Sequence, residues 1–117
     1  MHLVVIAGPD KGTTFLLTVG DHVRLGRSQS TLTRLNDPQV SRIHCELDVE
    51  EGRVTLTDSD SAGGTFVNGE RVAQQVLRQG DVIKVGGTQL RFLLFDVGTT
   101  TLDTNPATEP RAAEPPP

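Results

Sequence analysis

The sequence predicts an all-β domain, an antiparallel sandwich or barrel, on three observations. Strong helix signals are missing, period-2 alternation of apolar residues recurs over residues 1–95, and Gly, Pro, Asn and Asp turn signals cut the runs short.

In chain order the predicted strands begin with LVVIA (3–7), followed by the Gly8-Pro9-Asp10 turn, then TFLLTV (14–19) up to Gly20-Asp21, and HVRLG (22–26). After Asn36-Asp37-Pro38 comes the clearest alternation. Ile43, Cys45, Leu47 and Val49 fall on one face, with His44, Glu46, Asp48 and Glu50 on the other, so one face is buried and one is wet. Glu51-Gly52 turns the chain into RVTLTD (53–58). The Asn68-Gly69 pair then joins 65–67 to 70–73, because a type I′ hairpin needs positive φ at both central residues. DVIKV (81–85) follows Gly80, and Gly86-Gly87 leads into TQLRFLLF (88–95). GGT occurs at 63–65 and 86–88, but the flanks differ and there is no internal repeat.

A chain of 117 residues suits one domain, read here as residues 1–95. Residues 96–117 are rich in Thr, Pro, Ala and acids, a disordered tail or linker composition that cannot bury enough apolar surface to offset ordering. The Met1 start and Pro-rich end suit the amino-terminal part of a larger signalling protein. The net charge is −4, and the tail supplies most of it through Asp96, Asp103, Glu109 and Glu114 against Arg111. That balance, with no Trp or Tyr, predicts no nucleic-acid partner. No signal peptide or membrane-length apolar run is present, so the reading is a cytoplasmic protein with no membrane partner. Cys45 is the sole cysteine, which excludes an internal disulfide and a cysteine zinc cluster.

Catalytic readings fail on detail. In GPDKGTT (8–14) the lysine precedes the second glycine, the wrong side for a P-loop. A serine hydrolase built from Ser41 or Ser61 with His44 lacks the nucleophile elbow, since Ser59 stands where its first glycine belongs. His44 and Cys45 are adjacent in a strand and point to opposite faces, so they cannot share a metal ion. No catalytic residue, metal or cofactor is predicted. What remains is a cationic window: Arg24, Arg27, Arg34 and Arg42 lie among residues 24–42 with Asp37 as the only acid. Arg27, Ser41 and Arg42 at strand ends offer two guanidinium forks and a hydroxyl, a set suited to a tetrahedral oxyanion.

Taken in order, Gly26-Arg27, Ser41-x-x-His44, Asp58-x-x-Ser61, Gly64-Thr65-Phe66-Val67-Asn68-Gly69 and Leu77-x-x-Gly80-Asp81-x-Ile83-x-Val85-Gly86 resemble the forkhead-associated (FHA) family of phosphopeptide-binding domains over residues 3 to about 95. The resemblance implies a sandwich of two twisted antiparallel sheets, about eleven short strands, and recognition loops at one end. It implies that Arg27 contacts phosphate and peptide backbone, that Ser41 binds phosphate, and that Arg42 adds a further phosphate contact. Ala62 and Gly63 stand where the peptide should lie. His44, Gly26, Ser61, Gly64, Thr65, Asn68 and Gly69 resemble the family's loop-positioning residues. The implied partner is a phosphothreonine-containing protein or peptide in Ser/Thr-kinase signalling, with phosphothreonine preferred over phosphoserine.

One departure stands out. The family's S-x-N-G-T reads Ser61-Ala62-Gly63-Gly64-Thr65, so Gly63 replaces the asparagine that in relatives holds the peptide main chain. This motivates a second reading, a phosphate-independent interaction domain on the same fold. In the tail, Thr100-Thr101-Leu102-Asp103 is a T-x-x-D sequence similar to targets of some family members, which raises self-binding through a phosphorylated Thr100.

Overall fold

The computed structural model describes residues 1–28 and 33–94; the tail, with Thr100, lies outside the described residues. Among the described residues eleven strands appear: β1 (His2–Ala7), β2 (Thr14–Leu16), β3 (His22–Gly26), β4 (Thr33–Arg34), β5 (Cys45–Glu50), β6 (Arg53–Asp58), β7 (Thr65–Val67), β8 (Glu70–Val72), β9 (Gln74–Val76), β10 (Val82–Val85) and β11 (Thr88–Leu93). They form a six-stranded sheet in the order β2-β1-β11-β10-β7-β8 and a five-stranded sheet in the order β4-β3-β5-β6-β9. The pairings are antiparallel apart from β3 with β4, which runs parallel at the edge of the second sheet.

Alternation builds the core. Leu3, Val5, Ile83, Val85, Leu90 and Phe92 of the first sheet and Leu25, Cys45, Leu47, Val49, Val54 and Leu56 of the second join one buried cluster. Loop residues Leu17, Leu35, Val40 and Leu77 complete it. Cys45 is fully buried, and that burial pushes its thiol up to about 12, so it is an inert packing residue.

The turns obey their local chemistry. Val67 pairs with Glu70 across Asn68-Gly69, whose φ values of 52° and 87° are both positive. The Gly8-Pro9-Asp10 segment closes the β1–β2 hairpin, and the Asp10 carboxylate accepts from the Asn36 N–H and Nδ2, tying that turn to the 36–40 loop.

Two expectations for residues 43–50 are corrected. The strand begins at Cys45, Ile43 is only half-buried, and His44, placed on the wet face by the alternation, is fully buried. The 41–44 segment is a loop, which frees the His44 ring from the strand's parity and lets it turn inward.

On the outer face of the second sheet, His22 lies across from Asp48, and its Nδ1 and Nε2 are each 2.6 Å from a carboxylate oxygen, of Asp48 and Glu46 respectively. Hydrogen bonds to Asp48 and then Glu46 raise the imidazole above its ordinary 6.5. A raised folded-state pKa gives stabilisation that is full below 6.5 and lost as pH rises through the folded value. The thermal midpoint of the wild type should therefore fall slightly relative to His22→Gln as pH climbs from 6 towards 9. The effect is small because the pair is exposed. Parallel midpoint-versus-pH curves for the two proteins would remove this contribution.

Candidate functional site

Three segments meet at one end of the sandwich: the end of β3 with the residues after it, the 40–44 loop, and the 58–65 loop. The third is closed by Asp58. Its Oδ1 accepts the Ser61 hydroxyl at 2.6 Å and the Thr65 hydroxyl at 2.7 Å, and its Oδ2 accepts the Ser61 N–H at 3.2 Å. Ser61 Oγ in turn accepts the Gly64 N–H at 3.0 Å. Burial pushes the Asp58 carboxyl up, but the Ser61 and Thr65 bonds outweigh it and hold the group below its ordinary range. A depressed value means that this bracing is fully present above about pH 4 and lost as pH falls through the folded-state value.

His44 joins this loop to the second. Its Nδ1 accepts the Ser41 N–H at 3.0 Å, and its Nε2–H donates to the Gly64 carbonyl at 2.8 Å, which fixes the neutral Nε2–H tautomer. Ser41 Oγ accepts the Ala62 N–H at 3.1 Å, closing the circuit and leaving the hydroxyl proton free to donate outward.

The β3 end is laced to the same loop. Arg27 N–H donates to the Ser41 carbonyl and Ser28 N–H to the Arg42 carbonyl, both at 3.1 Å. The Arg27 guanidinium is exposed, and its Nε–H donates to the Val40 carbonyl at 3.0 Å, which aims the fork while leaving both Nη groups without a partner among the described residues. Arg42 is exposed, and its side chain likewise has no acceptor among the described residues. Gly26 lets these backbones touch: a Cβ there would stand 2.0 Å from the Arg42 carbonyl oxygen.

Of the residues singled out from sequence, Gly26, Arg27, Ser41, Arg42, His44, Ser61, Ala62, Gly63, Gly64 and Thr65 come together. Asn68 and Gly69 do not: they lie at the far end of β7, where Asn68 Nδ2 donates to Asp81 and its Oδ1 accepts the Val82 N–H. Their role is to pin the β7–β8 turn to β10. Gly63 is exposed, and a Cβ added there meets nothing within 4 Å.

Sequence reasoning left two participants out of the site. Asp58 is the hub of its loop, and its signal was the Asp58-x-x-Ser61 spacing. Arg71, on β8, packs its guanidinium against Gly64, a contact set by the Phe66–Arg71 register and carried by no motif. Among the described residues no group of three or more His, Cys, Asp or Glu side chains is placed to hold a metal ion, and no helix is long and apolar enough to cross a membrane.

The FHA domain model matches residues 23–86, which spans all three segments. Over 91 residues, 78% of this chain, it is 41% identical to an oxoglutarate dehydrogenase inhibitor of Corynebacterium efficiens and 40% identical to the glycogen accumulation regulator GarA of Mycolicibacterium smegmatis. Those matches cover 63% and 57% of the two relatives, so the chain spans less than two thirds of their length. The crystal structure of the FhaA FHA domain complexed with the intracellular domain of Rv3910 superimposes with a TM-score of 0.70 at 33% identity, covering 77% of this chain and 96% of that one. A structure from a study of phosphothreonine-dependent FHA domain interactions gives 0.73 at 30% identity, covering 83% and 100%. The family-model match over residues 23–86 and the likeness in fold agree, and this chain belongs to the FHA domain family.

Proposed function

We propose that this domain binds phosphothreonine-containing protein segments, with Arg27, Ser41 and Arg42 holding the phosphate and the exposed Ala62-Gly63 edge lying along the peptide. The observation that carries this reading is the pairing of a braced Arg27 fork, its Nε spent on Val40, with a Ser41 hydroxyl that Ala62 orients for outward donation. FHA domains are among the modules in which Arg clusters read phosphorylated motifs. Phosphothreonine suits such a set because it brings about −1.5 to −2 charges and three strong acceptors.

The domain is a recognition module and not an enzyme. His44 supports this in physical terms, since both its ring nitrogens are committed to backbone groups and neither is free to act as a general base for Ser41 or Ser61. Two relatives bear the names of an inhibitor and a regulator, which supports a regulatory role here.

Charge-assisted hydrogen bonds of about 1.5 to 3 kcal/mol each, less the cost of ordering the peptide, lead to dissociation constants in the micromolar range, near −8 kcal/mol. Fluorescence anisotropy with paired phosphothreonine and unphosphorylated 11-mers tests this: binding of the phosphorylated member alone, weakening as salt shortens the Debye length, is expected. Equal binding of both members at all salt concentrations would overturn it in favour of the phosphate-independent reading.

Gly63→Asn should tighten phosphopeptide binding by about fivefold, the worth of roughly one net hydrogen bond. Space permits the change, since nothing lies within 4 Å of a Cβ at Gly63 and its φ is not in the left-handed region. Equal or weaker affinity in the variant would mean that another group already holds the peptide main chain.

A further inference from the structure

Arg71 occupies a position that the phosphate-binding reading does not use. It lies on β8, the edge strand of the first sheet, and is exposed. Its guanidinium rests on the backbone of the recognition loop: a methyl group on Gly64 would stand 2.8 Å from Arg71 Nε and 3.0 Å from Cζ. Gly64 is buried and its own polar groups are taken, the N–H by Ser61 and the carbonyl by His44. The fork is therefore seated against the loop without being consumed by it. No carboxylate or carbonyl accepts from it among the described residues.

Its cross-strand row offers no anion among the described residues. The pairings Phe66 with Arg71 and Lys84 with Phe66 set Arg71, Phe66 and Lys84 in one row across the outer face of the sheet, so the next charge along the row is a second exposed cation. An arginine held against a binding loop with an unused fork matches a carboxylate, which accepts two parallel hydrogen bonds from it.

The connection to the phosphate cluster is short. Ser41 Oγ bonds the Ala62 N–H, and Arg71 touches Gly64 two residues on, so the path between them is at most about 16 Å, roughly the span of five extended residues. Gly63, between them, is exposed and adds no side chain to block a peptide laid along the loop.

We infer that Arg71 is a specificity-determining residue of this domain, selecting peptides that carry an Asp or Glu within about five residues of the phosphothreonine. The inference rests on the phosphothreonine-binding reading and adds a second anion subsite to it. With Gly63 in place of an asparagine, part of the peptide grip passes to Arg71.

The test uses an 11-mer phosphothreonine library in which each of the five positions on either side is fixed in turn as Glu or Gln, titrated by anisotropy against the whole chain. The wild type should favour Glu over Gln by about three- to fivefold at one or two adjacent positions, the size expected of a partly exposed ion pair. The preference should shrink as salt is raised. Arg71→Gln should bind the Glu and Gln members alike, and Arg71→Lys, which keeps the charge without the fork, should restore part of the preference. An unchanged thermal midpoint establishes that the variants are folded. A wild type that binds phosphopeptides without preferring Glu anywhere, or a preference that survives in Arg71→Gln, overturns this inference alone. A wild type that binds no phosphopeptide overturns the parent reading with it.

Discussion

Arg27→Ala removes measurable binding to phosphothreonine peptides and leaves the domain folded. The side chain is exposed and makes one hydrogen bond to the described residues, Nε to the Val40 carbonyl, so truncation should cost stability only about 1 kcal/mol. Its backbone bond to the Ser41 carbonyl survives the substitution. On the proposed phosphate-binding role, binding suffers far more, because two charge-assisted bonds to phosphate would disappear together. At about 1.5 to 3 kcal/mol each they correspond to a loss of roughly a hundredfold or more, which carries a micromolar complex to the edge of detection. Arg27→Lys should recover little of this, since an ammonium can neither make the Nε bond to Val40 nor present a planar fork. Anisotropy titrations give the affinity and circular dichroism the midpoint. An affinity within twofold of the wild type would show that the phosphate is held elsewhere.

The fold and its loop cluster show what a sequence can and cannot carry. Asn68-Gly69 was legible because the dipeptide meets a local backbone requirement, two consecutive positive φ values, that few other pairs tolerate. The strands β5, β6, β10 and β11 were legible because each buries one face against the core, which writes period 2 into the residues. β4 and β9 were not. Thr33–Arg34 and Gln74–Val76 are two and three residues long, too short for alternation to register, and each is defined only by the strand it lies beside. His44 shows the reverse failure: a strong local pattern extended two residues past the strand, to Ile43, and assigned a buried ring to solvent. The resemblance that gathered Arg27, Ser41 and Gly64 into one list conveyed what periodicity could not. It had no means of reporting Arg71, whose contact with Gly64 depends on pairing register and not on a residue spacing.

Gly26→Ala should produce the largest structural loss of any substitution at the site. The glycine is buried, and its φ is not in the left-handed region, so its role is close approach and not conformational freedom. A Cβ would stand 2.0 Å from the Arg42 carbonyl oxygen, 2.7 Å from its carbon and 3.0 Å from Ile43 Cα. All three are backbone atoms, and none can rotate aside. Relief requires the strand and the 40–44 loop to separate by about 1 Å or more, since non-bonded heavy atoms settle at 3.5 to 4 Å. That displacement loosens the bonds from Arg27 N–H to Ser41, Ser28 N–H to Arg42 and His44 N–H to Leu25. The expected cost is about 3 kcal/mol, the upper end of what overpacking a core site typically costs, or a midpoint lowered by on the order of 15 °C for a domain of this size. Phosphopeptide binding should be lost even at temperatures where the variant stays folded, because the substitution separates the strand carrying Arg27 from the loop carrying Ser41. Gly63→Ala is the matched control: with nothing within 4 Å of its Cβ, it should leave the midpoint unchanged. A Gly26→Ala protein that melts within about 3 °C of the wild type and still binds would mean that the two backbones can slide apart without cost, and that the β3 end does not set the spacing between Arg27 and Ser41.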